Sequence, residues 1–117
     1  MKIQLWHSRD SNFVEELYVP LRENFPDIEW IFPHGENGKI IQSEESLKGV
    51  DVFLAEVSTP ATGLGIELGF AYLYKKRIIC MYRVENKISS SLRFVTDEIF
   101  EYNSQEEMIE KLKNFFI

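Results

Sequence analysis

The sequence predicts an α/β fold: a single doubly wound domain in which a five-stranded parallel sheet carries helices on both faces. Three observations lead there. Short apolar runs with strand character alternate with helix-period segments along the whole chain. Such alternation implies right-handed crossovers and therefore a parallel sheet covered on both sides. At 117 residues the chain has material for one such sheet but not for two cores, so 1–117 is read as one domain.

Lys2 to Trp6 reads as the first strand and Asn12 to Asn24 as the helix that follows it. Ile28 to Phe32 is a second strand, Ser43 to Lys48 a short helix, and Val50 to Val57 a buried third strand. Between Ser58 and Gly65 stand Pro60, Gly63 and Gly65, which break regular structure before a helix over Gly63 to Lys75. Arg77 to Tyr82 is a strand, Ser89 to Phe94 a turn or short helix, Glu98 to Tyr102 a strand, and Gln105 to Phe116 the closing helix. The strand order expected for this series is 2-1-3-4-5, the flavodoxin- or Rossmann-like arrangement. Its switch point places a ligand above the carboxyl ends of the first and third strands. The long loop Pro33 to Gln42, with Gly35 and Gly38, is read as a lid over that crevice.

Composition excludes several functions. Apolar residues make up 44% and aromatic residues 14%, which favours a packed globule over disorder. A net charge of -6 gives no electrostatic footprint for a nucleic-acid polymer, whereas a single phosphate can be held by local N–H groups and hydroxyls. The lone Cys80 sits in an apolar run and reads as a small structural hydrophobe in a reducing compartment. With neither a signal-peptide core nor a membrane-length apolar run, the expected location is cytoplasmic, with no membrane partner. One Cys and two separated histidines, His7 and His34, offer no metal site, and no cofactor is expected.

The chemistry concentrates after the third strand. On the helix that follows, Leu64, Leu68, Ala71 and Tyr72 form the stripe expected to pack on the sheet, and Glu67 lies along it. Two effects oppose each other at this carboxylate: the helix N-terminus favours the anion and burial favours the acid. No capping box explains a Glu here, because the residue three after Thr62 is Gly65.

The pattern D-x-x-x-A-E-V-x-x-P-x-x-G-x-G-x-E-L-G-x-A, Asp51 through Ala71, resembles the nucleoside 2-deoxyribosyltransferase superfamily, including its 2'-deoxynucleoside 5'-monophosphate N-hydrolase branch. The resemblance implies that Glu67 attacks the anomeric carbon of a deoxyribose, while Gly63 and Gly65 let the backbone approach the sugar. It implies cleavage of the N-glycosidic bond of a deoxynucleoside or its 5'-monophosphate, with transfer to water or to another base. A second carboxyl group should serve the leaving base. The family's Asp would fall at Ser43, so the neighbouring Glu44 is the candidate.

Around these two, His7, Ser8, Arg9, Glu56 and Ser58 are candidate substrate contacts at the switch point, Ser8 and Arg9 for a phosphate. Glu56, an acid in an apolar strand, needs hydrogen bonds or a partner, and reads equally as a structural acceptor. Ser89 and Ser91 resemble the segment that crosses to a neighbouring subunit in the family, which implies a homodimer or higher homo-oligomer. Three positions depart from the pattern: Gln4 where the hydrolase branch has Tyr, Ser43, and Ala61 where that branch has Ser. The alternative is a non-catalytic nucleotide-binding domain of the same fold. A phosphoacceptor receiver domain is disfavoured, because only Asp10 stands where that fold needs an acidic cluster.

Overall fold

A computed structural model of the protein describes residues 1–9, 12–32 and 49–116. Five strands, β1 (Lys2–His7), β2 (Glu29–Ile31), β3 (Val52–Glu56), β4 (Arg77–Arg83) and β5 (Ile99–Tyr102), form one sheet in the order β2-β1-β3-β4-β5. Every pairing is parallel. The expected topology is therefore the observed one. Its helices are α1 (Val19–Asn24), α2 (Thr62–Leu73) and α3 (Gln105–Phe115), with a 3-10 turn over Ser90–Phe94. The expected lid, the helix over Ser43 to Lys48, Glu44 within it, and the possible caps Asp10 and Ser11 all lie outside the described residues.

Alternation along the strands builds two cores. Ile3, Leu5, Val52, Leu54, Ile79 and Met81 face one way and pack with Leu21 before α3's Met108, Ile109 and Leu112. Trp6, Phe53, Ala55, Ile78 and Cys80 face the other way, under Leu64, Leu68 and Ala71 of α2. Cys80 is fully buried, and burial pushes its thiol up to about 12, so it stays protonated and inert.

Three local differences from the expected elements have physical causes. The first helix opens with a π turn over Val14–Tyr18 before α1, which widens the helix next to the end of β1. Helix α2 starts at Thr62, so Gly63 and Gly65 lie in its first turn rather than in a preceding turn. Ala61 precedes it in extended conformation and no side chain caps it, in keeping with the missing capping box. Tyr72 was expected on the buried stripe but is 54% exposed, because the sheet covers only the side bearing Leu64, Glu67, Leu68 and Ala71.

Candidate active site

Helix α2 follows β3 directly and lies over β1, β3 and β4, so its inward residues sit at the switch point. Glu67 is one of them and is only 4% exposed. It makes no hydrogen bond with any described residue. Burial raises its carboxyl above the ordinary range, which settles the sign left open by the sequence. The helix dipole does not win because α2 begins at Thr62, leaving Glu67 beyond the first turn, where the dipole acts most strongly.

Glu56 is equally buried but fully engaged. One carboxylate oxygen accepts the Ser58 N–H at 2.6 Å, and the other accepts a short hydrogen bond from the Tyr102 hydroxyl. Burial, and then the Glu56 charge, push the Tyr102 hydroxyl far up, so it donates as a neutral phenol. Ser58 in turn accepts the Arg83 N–H on its Oγ at 2.8 Å and the Asn86 side-chain N–H on its carbonyl at 3.1 Å. These bonds tie the loop entering α2 to the end of β4. Arg83 is itself paired with Glu16 at 3.0 Å and lies over the Tyr102 ring.

His7 closes β1, buried, with its Nδ1 2.8 Å from the Ser8 carbonyl and its Nε2 2.6 Å from the Tyr18 hydroxyl. With Nδ1–H donating to that carbonyl, Nε2 accepts from Tyr18. Ser8 is buried and Arg9 exposed. His7, Ser8, Glu16, Glu56, Ser58 and Arg83 surround a polar cavity of about 110 Å³.

Strand alternation separates this cluster from Glu67. Glu56 follows Val52 and Leu54 onto the α1/α3 face, and His7 reaches Tyr18 there, whereas Glu67 lies on the α2 face with Trp6. The two groups approach each other only at the carboxyl end of the sheet, where β1 and β3 pair His7 with Glu56.

A larger, mainly apolar cavity of about 340 Å³ flanks α2, walled by Pro60, Leu64, Gly65, Ser89, Ser91 and Leu92. A side chain added at Gly63 or Gly65 would meet nothing within 4 Å, so both glycines keep the start of α2 open. Ser89 caps the 3-10 turn, its Oγ accepting the Ser91 N–H at 3.2 Å. By helix phase, this cavity lies on the flank of α2 toward Lys87–Val95 and Glu67 on the flank toward β1. Within one chain Ser89 and Ser91 are therefore not brought to Glu67. Among the described residues no cluster of His, Cys, Asp and Glu could hold a metal ion, and no helix is long and apolar enough to cross a membrane.

A doubly wound sheet with a buried glutamate on the helix after β3, unpartnered among the described residues, is the arrangement that the resemblance to nucleoside 2-deoxyribosyltransferases led us to expect. Comparison with known proteins finds partial matches in the same direction. The chain is 35% identical over 71 residues to human 5-hydroxymethyl-dUMP N-hydrolase, covering 56% of this chain and 41% of that protein. It is 48% identical over 40 residues to the protein of the same name from Branchiostoma floridae, covering 34% and 38%. The matched stretch thus spans less than half the length of either relative. Among solved structures, a CMP N-glycosidase from Clostridium botulinum superposes with a TM-score of 0.68 at 23% identity, covering 97% of this chain and 99% of that one, which shows a shared fold. No protein-family model matches the chain. Over the matched stretch the chain is similar to proteins named N-hydrolases of a deoxynucleotide.

Proposed function

We propose that the protein is an enzyme that cleaves the N-glycosidic bond of a 2'-deoxynucleoside or its 5'-monophosphate through a covalent intermediate on Glu67. The carrying observation is Glu67 itself, a buried carboxylate at the switch point without a hydrogen-bond partner among the described residues. Its relatives are named N-hydrolases of a deoxynucleotide, 5-hydroxymethyl-dUMP, which supports the substrate class.

In the first step a Glu67 oxygen bonds to C1' while the C1'–N bond breaks and its electron pair leaves with the base, which takes up a proton. Glu44, outside the described residues, is the proposed donor. In the second step water, or the nitrogen of another base, attacks C1', loses a proton and displaces the carboxylate. Gly63 and Gly65 leave room for the sugar at the start of α2. Glu56 and Ser58, whose polar atoms bond within the chain, hold the loop in place, while His7 and Ser8 form the floor of the crevice. A chromatographic screen for free base released from deoxynucleosides and deoxynucleotides tests the reading. Binding without base release would instead establish the non-catalytic nucleotide-binding alternative. With Cys80 reduced, the proposed location is the cytoplasm.

Arg9, exposed beside the buried Ser8, is assigned to the 5'-phosphate. Arg9→Ala is expected to raise KM about tenfold for monophosphates and to leave nucleosides nearly unaffected, in line with the loss of one charge-assisted hydrogen bond. Steady-state kinetics on matched nucleoside and nucleotide pairs reads the difference. Equal effects on both would remove Arg9 from the phosphate.

The active form is proposed to be at least a dimer. Ile66, Phe70 and Leu73 form an outward stripe on α2, 54%, 44% and 72% exposed, and Phe94 beside Ser89 and Ser91 is 81% exposed. The rival expectation is a thick monomer core with Phe70 and Tyr74 under the C-terminal helix; both are exposed and α3 packs on the other core, which favours the dimer. Because Ser89 and Ser91 do not reach Glu67 of their own chain, a neighbour's copies are the ones proposed to meet substrate. Light scattering should give at least twice 13.8 kDa at micromolar concentration. A monomer with full activity would overturn both the dimer and the shared site.

A further inference from the structure

Among the described residues, two buried polar atoms lack a hydrogen-bond partner, Gln4 Oε1 and Trp6 Nε1. Their residues are 1% and 4% exposed. Orphans of this kind are rare, because an unpaired buried polar group carries its full desolvation cost. Here the two are not scattered. Gln4 and Trp6 are two residues apart on β1, so their side chains leave the same face of the sheet about 7 Å apart along the strand.

That face is the one covered by α2: Trp6 packs with Leu64, Leu68 and Ala71, and Glu67 is turned inward from the same helix on the flank toward β1. One atom is an acceptor and the other a donor, yet they do not bond to each other. A single group that both donates and accepts would satisfy the two at once, and a hydroxyl is the simplest such group.

We propose that Gln4 and Trp6 read a sugar hydroxyl of the substrate, which donates to Gln4 Oε1 and accepts from Trp6 Nε1–H beside Glu67. This rests on the reading that Glu67 attacks C1' of a nucleotide sugar. The hydroxyls near C1' on the sugar face presented to Glu67 are O2' and O3'; a 2'-deoxy sugar retains O3' alone. Which of the two is read therefore decides whether the site takes ribose as well as deoxyribose. The pair is a specificity determinant, since a sugar lacking the hydroxyl leaves both orphans unpaired.

The test is a calorimetric binding series with cytidine and uridine 5'-monophosphates in ribo, 2'-deoxy and 3'-deoxy forms, on the wild type, Gln4→Leu and Trp6→Phe. Gln4→Leu keeps shape and Trp6→Phe keeps an aromatic ring, and each removes one orphan atom. The wild type should bind the form lacking the read hydroxyl about 10- to 100-fold more weakly, the effect of leaving buried partners unsatisfied. The 2'-deoxy arm identifies O2' and the 3'-deoxy arm O3'. Either substitution should erase that discrimination; the melting temperature of Gln4→Leu should hold or rise because an orphan is removed, whereas Trp6→Phe also loses core packing and should melt lower.

Equal affinity for all three forms, no binding of any, or an equal loss for all three on substitution overturns the proposal and leaves the pair to an ordered water. Because sugar discrimination is read separately from base release, a wild type that discriminates between sugars yet releases no base would defeat the Glu67 reading and leave the pair standing.

Discussion

Replacing Glu67 with Gln or Ala is expected to lower base release at least about a thousandfold, the range lost when a nucleophile is removed from an active site and only binding and positioning remain. The fold should survive, because Glu67 contributes no hydrogen bond that the described residues would miss. A slow 2-fluoro-2-deoxy substrate should label a Glu67 peptide, since fluorine destabilises the oxocarbenium-like transition state and lets the glycosyl-enzyme accumulate. Near wild-type turnover in Glu67→Ala, or label on Glu56, would reassign the nucleophile.

The same carboxyl predicts a pH signature. Desolvation holds its folded pKa above the ordinary 4.5 of an exposed glutamate. Between those two values the folded protein therefore binds more protons at this site than the unfolded chain does. The site's contribution to stability is thus fullest below about pH 4.5 and falls as pH rises to the folded value, above which it is constant. Glu67→Gln should abolish that segment of the stability curve, read by urea titrations at a series of pH values. In catalysis the acidic limb of kcat/KM should lie above the ordinary carboxylate range, because attack needs the ionised form.

Glu56→Ala is expected to destabilise the fold by about 2 kcal/mol or more, because it strands two donors, the buried Tyr102 hydroxyl and the part-buried Ser58 N–H, and a buried unsatisfied group costs about 1–3 kcal/mol. A shift of the urea midpoint at unchanged slope is the measurement. Turnover should fall as well, since the Ser58 bonds to Arg83 and Asn86 hold the loop from which α2 starts. Glu56→Gln can keep an acceptor for one donor and should restore much of both. A Glu56→Ala protein of wild-type stability would show that the loop finds other partners.

Much of this protein was set by the order of residues alone. Near-continuous apolar runs at β3 and β4 can only be strands covered on two faces, and connecting them through helices forces parallel pairing with right-handed crossovers. The sheet order and the place of the crevice follow, and the 3.6-residue period turns Glu67 inward with Leu64, Leu68 and Ala71. The missing capping box likewise appears as an uncapped start to α2.

Other features belong to the tertiary structure. The sign of the Glu67 shift depends on how much solvent the sheet and its neighbours remove, which no helical period contains. The expected topology places Glu56 and His7 at the same switch point as Glu67. Period-two alternation against a particular pair of covering helices puts them on the other face of the sheet, bonded to Tyr102 and Tyr18. Tyr102 lies 46 residues from Glu56, and only the folding of β5 to the sheet edge brings that donor within reach. Gln4 and Trp6 look like ordinary strand residues in sequence. Their unpaired state arises only when α2 closes over them, because a buried group's hydrogen-bonding balance is fixed by its three-dimensional neighbours and not by its position in the chain.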